Sequence, residues 1–210
     1  MITNIGKHKV KCGCVMQGIE DLMLDAKADF IYSDPPWGQG NLKYWQTINK
    51  RHTGIKPKEI DFNEFLWHYF SLLNKYTKHN AVMCIEYGVR WRSDIKKMCD
   101  AYNLIWNGYV ESIYSSDNLK LDVHIISKSI KADIPVSLQK KILNKKGYEF
   151  VKIMFDEYAP KNGLVLDPMC GMGFTAQACI DNNLIFHGNE LNAKRLEKTI
   201  KRLKKNENIS

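Results

Sequence analysis

At 210 residues, with 26% charged and 44% hydrophobic residues, the chain has the make-up of an ordinary water-soluble protein with room for one core and little else. Its 31 Lys and Arg against 23 Asp and Glu leave a formal charge of +8, which points to a polyanionic partner. No apolar run approaches the roughly 20 residues needed to span a bilayer, and six cysteines in no metal-binding spacing read as free thiols of a reducing compartment. With no secretory leader pattern at its start, the expectation is one cytoplasmic domain over 1–210, without a metal or a membrane.

In chain order, Lys9–Cys14 reads as a first strand and Val15–Leu24 as a short helix. Asp29–Asp34 is an apolar run that ends in an acid, followed by Pro35, Pro36, Trp37 and Gly38. The prolines cannot donate to a sheet ladder and fix φ near −65°, so the chain must leave the sheet in a rigid, extended turn. In an open α/β sheet, the ground outside the carboxyl end of a strand is where ligands bind. This turn offers a carboxylate, carbonyls and an aromatic face, which suit a planar heterocycle held by its exocyclic amine.

Gly38–Ile60 is expected as a functional loop, made mobile by Gly38, Gly40 and Gly54. Its Lys43, Tyr44, Trp45, Lys50 and Arg51 interleave charge with aromatic rings, a pattern suited to phosphates and stacked bases. Asp61 then N-caps a helix with Glu64 at the capping-box position, and Phe62, Phe65, Leu66, Tyr69, Phe70, Leu72 and Leu73 give it a broad apolar face.

Ala81–Glu86 is a buried strand, Arg90–Tyr102 a helix, and Asn103–Tyr114 with Leu119–Lys128 a hairpin turning at Ser115-Ser116-Asp117-Asn118. Ile130–Lys146 is polar and lysine-rich, a surface loop or short irregular helix, and Gly147–Tyr158 recurs at helical spacing. Asn162–Asp167 is a strand ending in an acid, after which Pro168, Cys170, Gly171 and Gly173 form a tight Gly-x-Gly turn into a helix at about Thr175–Asp181. Leu184–Glu190 is the last strand, ending in another acid ahead of Leu191 and Asn192. Strand, glycine turn, helix, strand and acid are the parts of a nucleoside-cofactor site; the third dinucleotide glycine is missing, which argues against a pyrophosphate. The last helix has an apolar stripe of Leu196, Ile200 and Leu203, and its many Lys and Arg are read as a solvated face.

Asp34-Pro35-Pro36-Trp37 resembles the catalytic motif of the S-adenosylmethionine-dependent amino-methyltransferases. Asp167-Pro168-Met169-Cys170-Gly171-Met172-Gly173-Phe174-Thr175 resembles their cofactor motif, and Asn189-Glu190-Leu191-Asn192 the acidic motif after it. Catalytic before cofactor motif is the circularly permuted order of the beta class. The resemblance implies a Rossmann-like α/β fold: a mostly parallel, seven-stranded, doubly wound sheet with an antiparallel hairpin strand.

It also implies the cofactor S-adenosylmethionine, held by Asp167, Pro168, Cys170, Gly171, Gly173, Glu190, Leu191 and Asn192. Asp34, Pro35, Pro36 and Trp37 would be catalytic, the acid and the Pro35 carbonyl holding an amine while Trp37 stacks on the base. A leading Asp goes mostly with adenine N6, which implies site-specific methylation of DNA, as in bacteria, phages and restriction–modification systems. The alternatives are RNA adenosine-N6 transfer, since the messenger-RNA family shares Asp-Pro-Pro-Trp, cytosine-N4 transfer in DNA, and a non-catalytic nucleic-acid-binding subunit.

Two family features are absent. Gly13-Cys14 stands where the family has Gly-Asp, leaving Gln17 or Glu20 as replacements, and Lys146-Gly147 stands for its Lys-Pro. There is no separate target-recognition segment, so either base-sequence selectivity is low or recognition falls to the 38–60 stretch, to a second copy in a homodimer or to a partner subunit.

Overall fold

The computed structural model describes residues 1–54, 58–114 and 119–206. Alternation along β3 (Ala28–Ser33) sets the layering: Phe30 and Tyr32 pack into one apolar cluster and Ile31 into another on the opposite face. Around β3 lie β1 (Ile2–Ile5), β2 (His8–Cys12), β4 (Thr77–Gly88), β5 (Ile105–Tyr114), β6 (Leu119–Ser127), β7 (Leu164–Asp167) and β8 (Ile185–Glu190). These eight strands form one sheet in the order β1-β2-β8-β7-β3-β4-β6-β5. The neighbours from β2 to β4 run parallel; β6 is antiparallel to β4 and β5 to β6, and β1 returns antiparallel on β2. The strand beyond the expected seven is β1, whose Ile-Thr-Asn-Ile is too short and polar to announce itself.

Helices α1 (Glu20–Met23), α3 (Phe62–Tyr76) and α4 (Arg92–Ala101) cover one face, burying Leu22, Tyr69, Phe70 and Ile95 against Ile31, Met83 and Ile85. Helices α5 (Val136–Ile142), α6 (Tyr148–Tyr158), α7 (Phe174–Asp181) and α8 (Ala193–Asn206) cover the other, with Leu138, Phe155, Ala176 and Leu203 at its core. Phe155 meets Phe30 edge-on at 5.0 Å between ring centroids. The helix expected over Val15–Leu24 is broken at Gly18 (φ +81°) into a 3-10 turn, Val15–Gln17, and α1. Asp61 caps α3 as expected, accepting from the N–H groups of Asn63 (2.8 Å) and Glu64 (3.4 Å). The expected hairpin turn at 115–118 lies outside the described residues.

The stretch 38–60 departs from expectation most. It is not a loop but carries a 15-residue helix, α2 (Gln39–Thr53). Its inward side is Leu42, Gln46 and Asn49, spaced four and three apart, so two of the three buried positions are polar and the apolar period is weak. Side-chain amides replace the missing apolar anchors. Gln39 accepts from the Phe62 N–H (2.7 Å) and donates to the Ile60 carbonyl (3.2 Å), and Gln46 donates to the Lys58 carbonyl (3.2 Å). The glycines mark its ends: Gly38 precedes the first turn at φ +142°, and Gly54 closes the last in the left-handed region at φ +74°.

Candidate active site

Four neighbouring parallel strands each end in an acid. Asp34 follows β3, Glu86 lies near the end of β4, and Asp167 and Glu190 close β7 and β8. All four line one cavity of about 620 Å³ at the carboxyl edge of the sheet. Strand order arranges it. Glu190 and Asp167 lie at one end with Gly13 and Cys14, Asp34 sits midway, and Glu86 lies beyond it with Leu121 of β6 and Ser112 and Ile113 of β5. Helix α2 closes one side with Asn41, Leu42, Trp45, Gln46, Ile48 and Asn49; α6 contributes Phe150 and Val151.

The Asp34 turn is held from within. The Trp37 indole N–H donates to Asp34 Oδ1 at 3.0 Å, and the Trp37 backbone N–H donates to Asn41 Oδ1 at 3.2 Å. Trp37, expected to stack on a base, lines the cavity and also fixes the carboxylate. Solvent reaches Asp34 through the mouth of the cavity, while the walls around it strip away much of its hydration. That desolvation pushes its carboxyl above the usual range; the Trp37 N–H and the Arg195 charge act in the opposite direction.

The glycine turn is equally determined. Asp167 accepts from Thr175 Oγ1 (2.6 Å) and the Met169 N–H (3.1 Å), so its two oxygens tie strand, turn and α7 together. Burial pushes its carboxyl up to about 7. Glu190 accepts from the Gly171 N–H through Oε2 and the Asn192 N–H through Oε1, both at 2.8 Å, and burial raises it too. Gly171 (φ +53°) and Gly173 (φ +84°) lie against α8, where an added Cβ would meet Arg195 Nη2 at 2.6 Å and Thr199 Oγ1 at 2.7 Å. Only glycine meets both demands.

The expected residues thus converge with few exceptions. Asp34, Pro35, Pro36, Trp37, Asp167, Cys170, Gly171, Gly173, Glu190, Leu191 and Asn192 line the cavity. Pro168 does not: its carbonyl accepts from Asn189 Nδ2 at 3.1 Å behind the wall. Of the five residues expected to bind substrate, only Trp45 lines the cavity, whereas Lys43, Tyr44, Lys50 and Arg51 stand exposed on α2. Neither Gln17 nor Glu20 replaces the missing acid; Glu20 pairs with Lys75 at 2.8 Å, and Gly13, Cys14, Val15 and Met16 form that wall instead. Lys146 and Gly147 do reach the cavity.

Sequence reasoning missed Glu86 and Arg195. Glu86 carries the same signal that found the other three acids, an apolar strand ending in a carboxyl. Arg195 was assigned to a solvated face, yet its guanidinium lies 4.3 Å from the Trp45 ring centre and lines the cavity. Asn192 Nδ2 also meets His52 Nδ1 at 3.0 Å, so α2 is latched to the start of α8 at two points. All six cysteines are free, and no cluster of metal-ligating side chains occurs among the described residues. No helix there is long and apolar enough to cross a membrane.

No protein-family model matches the chain, and no curated protein does. Solved structures do. M1.HpyAVI superposes with a TM-score of 0.63 at 19% identity over 92% of this chain and 97% of its own, and is also known in complex with SAM. TTHA0409 of Thermus thermophilus, a proposed DNA modification methylase solved with S-adenosyl-L-methionine, gives 0.66 at 13% identity, covering 95% of this chain and 94% of its own. The cytosine-N4-specific PvuII DNA methyltransferase gives 0.66 at 10% identity, covering 98% and 95%. The fold is therefore the Rossmann-like methyltransferase fold, with the Asp-Pro-Pro-Trp turn ahead of the glycine turn in the chain.

Proposed function

We propose that this protein is an S-adenosylmethionine-dependent methyltransferase acting on the exocyclic N6 amine of adenine in DNA, with the base flipped out or already unpaired. One observation carries the reading: the Asp34 turn and the Gly171–Gly173 turn open into the same cavity.

The residues present fit the cofactor. Each Glu190 oxygen accepts one backbone N–H and keeps a lone pair for a ribose hydroxyl. Asn189 lines the cavity, and its buried amide oxygen has no hydrogen-bond partner among the described residues, which leaves an acceptor for an amino group. When bound, S-adenosylmethionine supplies a sulfonium methyl: the N–C bond forms as the S–C bond breaks, sulfur keeps the electron pair, and the amine sheds a proton.

The protein's own part is positioning. An aromatic amine is a weak nucleophile because its lone pair is delocalised into the ring. Asp34 and the Pro35 carbonyl would accept its two hydrogens, drawing the nitrogen toward tetrahedral geometry and stabilising the positive charge that develops on it. Trp37 keeps the Asp34 carboxylate aimed. A base within a duplex cannot enter so enclosed a cleft, hence the need for flipping.

Asp34 rather than Ser at the head of the motif supports adenine over cytosine, through the resemblance. The exposed Lys43, Tyr44, Lys50 and Arg51 on α2 support a nucleic-acid phosphate contact beside the cavity mouth. The test is tritiated-methyl incorporation into duplex DNA, single-stranded DNA and RNA of matched sequence. DNA labelled on adenine is the expected product; label confined to RNA, or no transfer to any of the three, would overturn the proposal.

A further inference from the structure

We propose that Glu86 is a base-reading residue: held by Tyr32, it donates a hydrogen bond to the ring nitrogen beside the amine that Asp34 accepts. The inference rests on the function proposed above and names a contact that the motif does not contain. In the parallel ladder Ser33 pairs with Ile85, which places Asp34 and Glu86 side by side at the edge of the sheet. Both line the cavity, Glu86 on the side of the hairpin residues Ser112, Ile113 and Leu121, away from the glycine turn. A base whose amine meets Asp34 must therefore lay its ring across Glu86.

One Glu86 oxygen is already engaged, since Tyr32 O–H donates to Oε1 at 2.5 Å. The other oxygen, Oε2, is the one left to carry a proton toward a ligand. Neighbouring carboxyls at one strand edge, each partly stripped of water, disfavour each other's charge, so one of the pair keeps its proton to a higher pH. Asp34 has Trp37 and Arg195 to favour its charge; burial and the Asp34 and Asp167 charges drive Glu86 upward, against the Tyr32 hydrogen bond alone. The proton therefore resides on Glu86, and Oε2–H is a donor. Adenine presents an acceptor, N1, next to its amine, and cytosine presents N3; thymine and uracil have no amine, carry N–H at the matching ring position and are refused. Asp34, the Pro35 carbonyl and Glu86 together read an amine with its adjacent acceptor.

The test compares single-stranded oligonucleotides carrying one adenine or one 1-deazaadenine, with a cytosine and 3-deazacytosine pair as the second arm. The ratio of kcat/KM between base and deaza analogue is measured for the unsubstituted chain, Glu86→Gln and Glu86→Ala. The intrinsic difference in amine reactivity is common to all three, so changes in the ratio report the contact. We expect a preference for the natural base that falls roughly 10- to 100-fold in Glu86→Ala, the size of one buried hydrogen bond left unmade. Glu86→Gln, which can accept from Tyr32 and donate to the ring, should keep the preference; which arm shows it identifies the base. An unchanged ratio in Glu86→Ala would overturn the assignment alone. Failure of the unsubstituted chain to methylate any natural base, with cofactor binding intact, would overturn the function beneath it as well.

Discussion

In the proposed reaction Asp34 is the residue on which the chemistry turns, and its surroundings separate two roles. Its contacts are Trp37 and the field of Arg195, while the expected cofactor contacts lie in the glycine turn after β7 and at the end of β8. Asp34→Ala should thus lower methyl transfer by at least about 100-fold, as the loss of one preorganised charged acceptor does elsewhere. S-adenosylmethionine binding followed by calorimetry should stay within a few-fold. Loss of both together would mean that Asp34 organises the cofactor site instead. Because Asp34 is pushed upward, it protonates at a higher pH than a free carboxyl, so transfer by the unsubstituted chain should decline on the acid side sooner than an ordinary Asp would dictate. The sequence exposed this residue through the prolines after it. Glu86, near the end of β4, offered the same strand-then-acid signal but had no Pro or Gly-x-Gly after it to mark a site.

At the scale of elements, the strand ends and α2 set what the site can do. Asp167 holds the turn after β7 at a cost that depends on pH. Its folded pKa, about 7, is above that of an unfolded Asp, so the folded chain binds the extra proton between about pH 4 and 7. Its contribution to stability is full below that window and is lost as pH rises through it. Asp167→Asn should flatten the dependence of stability on pH across that range by up to about 1.4 kcal/mol per pH unit, one proton's worth. Urea unfolding at several pH values measures this, and an unaltered slope would place the titration on another group.

Helix α2 carries its own expectations. Asp61→Ala, removing the cap on the helix after it, should cost about 1 kcal/mol of stability without touching the cavity. Replacing Lys50 and Arg51 by Ala should weaken DNA binding and reduce the log–log salt slope by about one for each phosphate no longer neutralised. An unchanged slope would remove α2 from the binding surface. The helix was illegible because its buried side holds Gln46 and Asn49, and its anchors are amide hydrogen bonds to 58–62. Amphipathic spacing detects apolar faces, and this face is half polar.

Across the whole molecule, the apolar strand runs and the motif resemblance made the doubly wound sheet readable, and three of the four acids at its edge announced themselves. What escaped depends on contacts between distant segments. Arg195 looked like one more cation on a soluble helix face because nothing near it in sequence reveals that Trp45, 150 positions earlier, covers it. Pro168 read as a cofactor contact by motif, yet its side of the turn faces Asn189. Such pairings come from how the chain closes, not from local period.

The central claim is that one cleft joins an adenine amine to a methyl donor under the control of Asp34. Nucleoside mass spectrometry of DNA from a host without its own adenine methylation, expressing either this chain or its Asp34→Ala variant, tests it most directly. The account predicts N6-methyladenine with the first and none with the second. N4-methylcytosine in its place, or N6-methyladenine undiminished by Asp34→Ala, would contradict it.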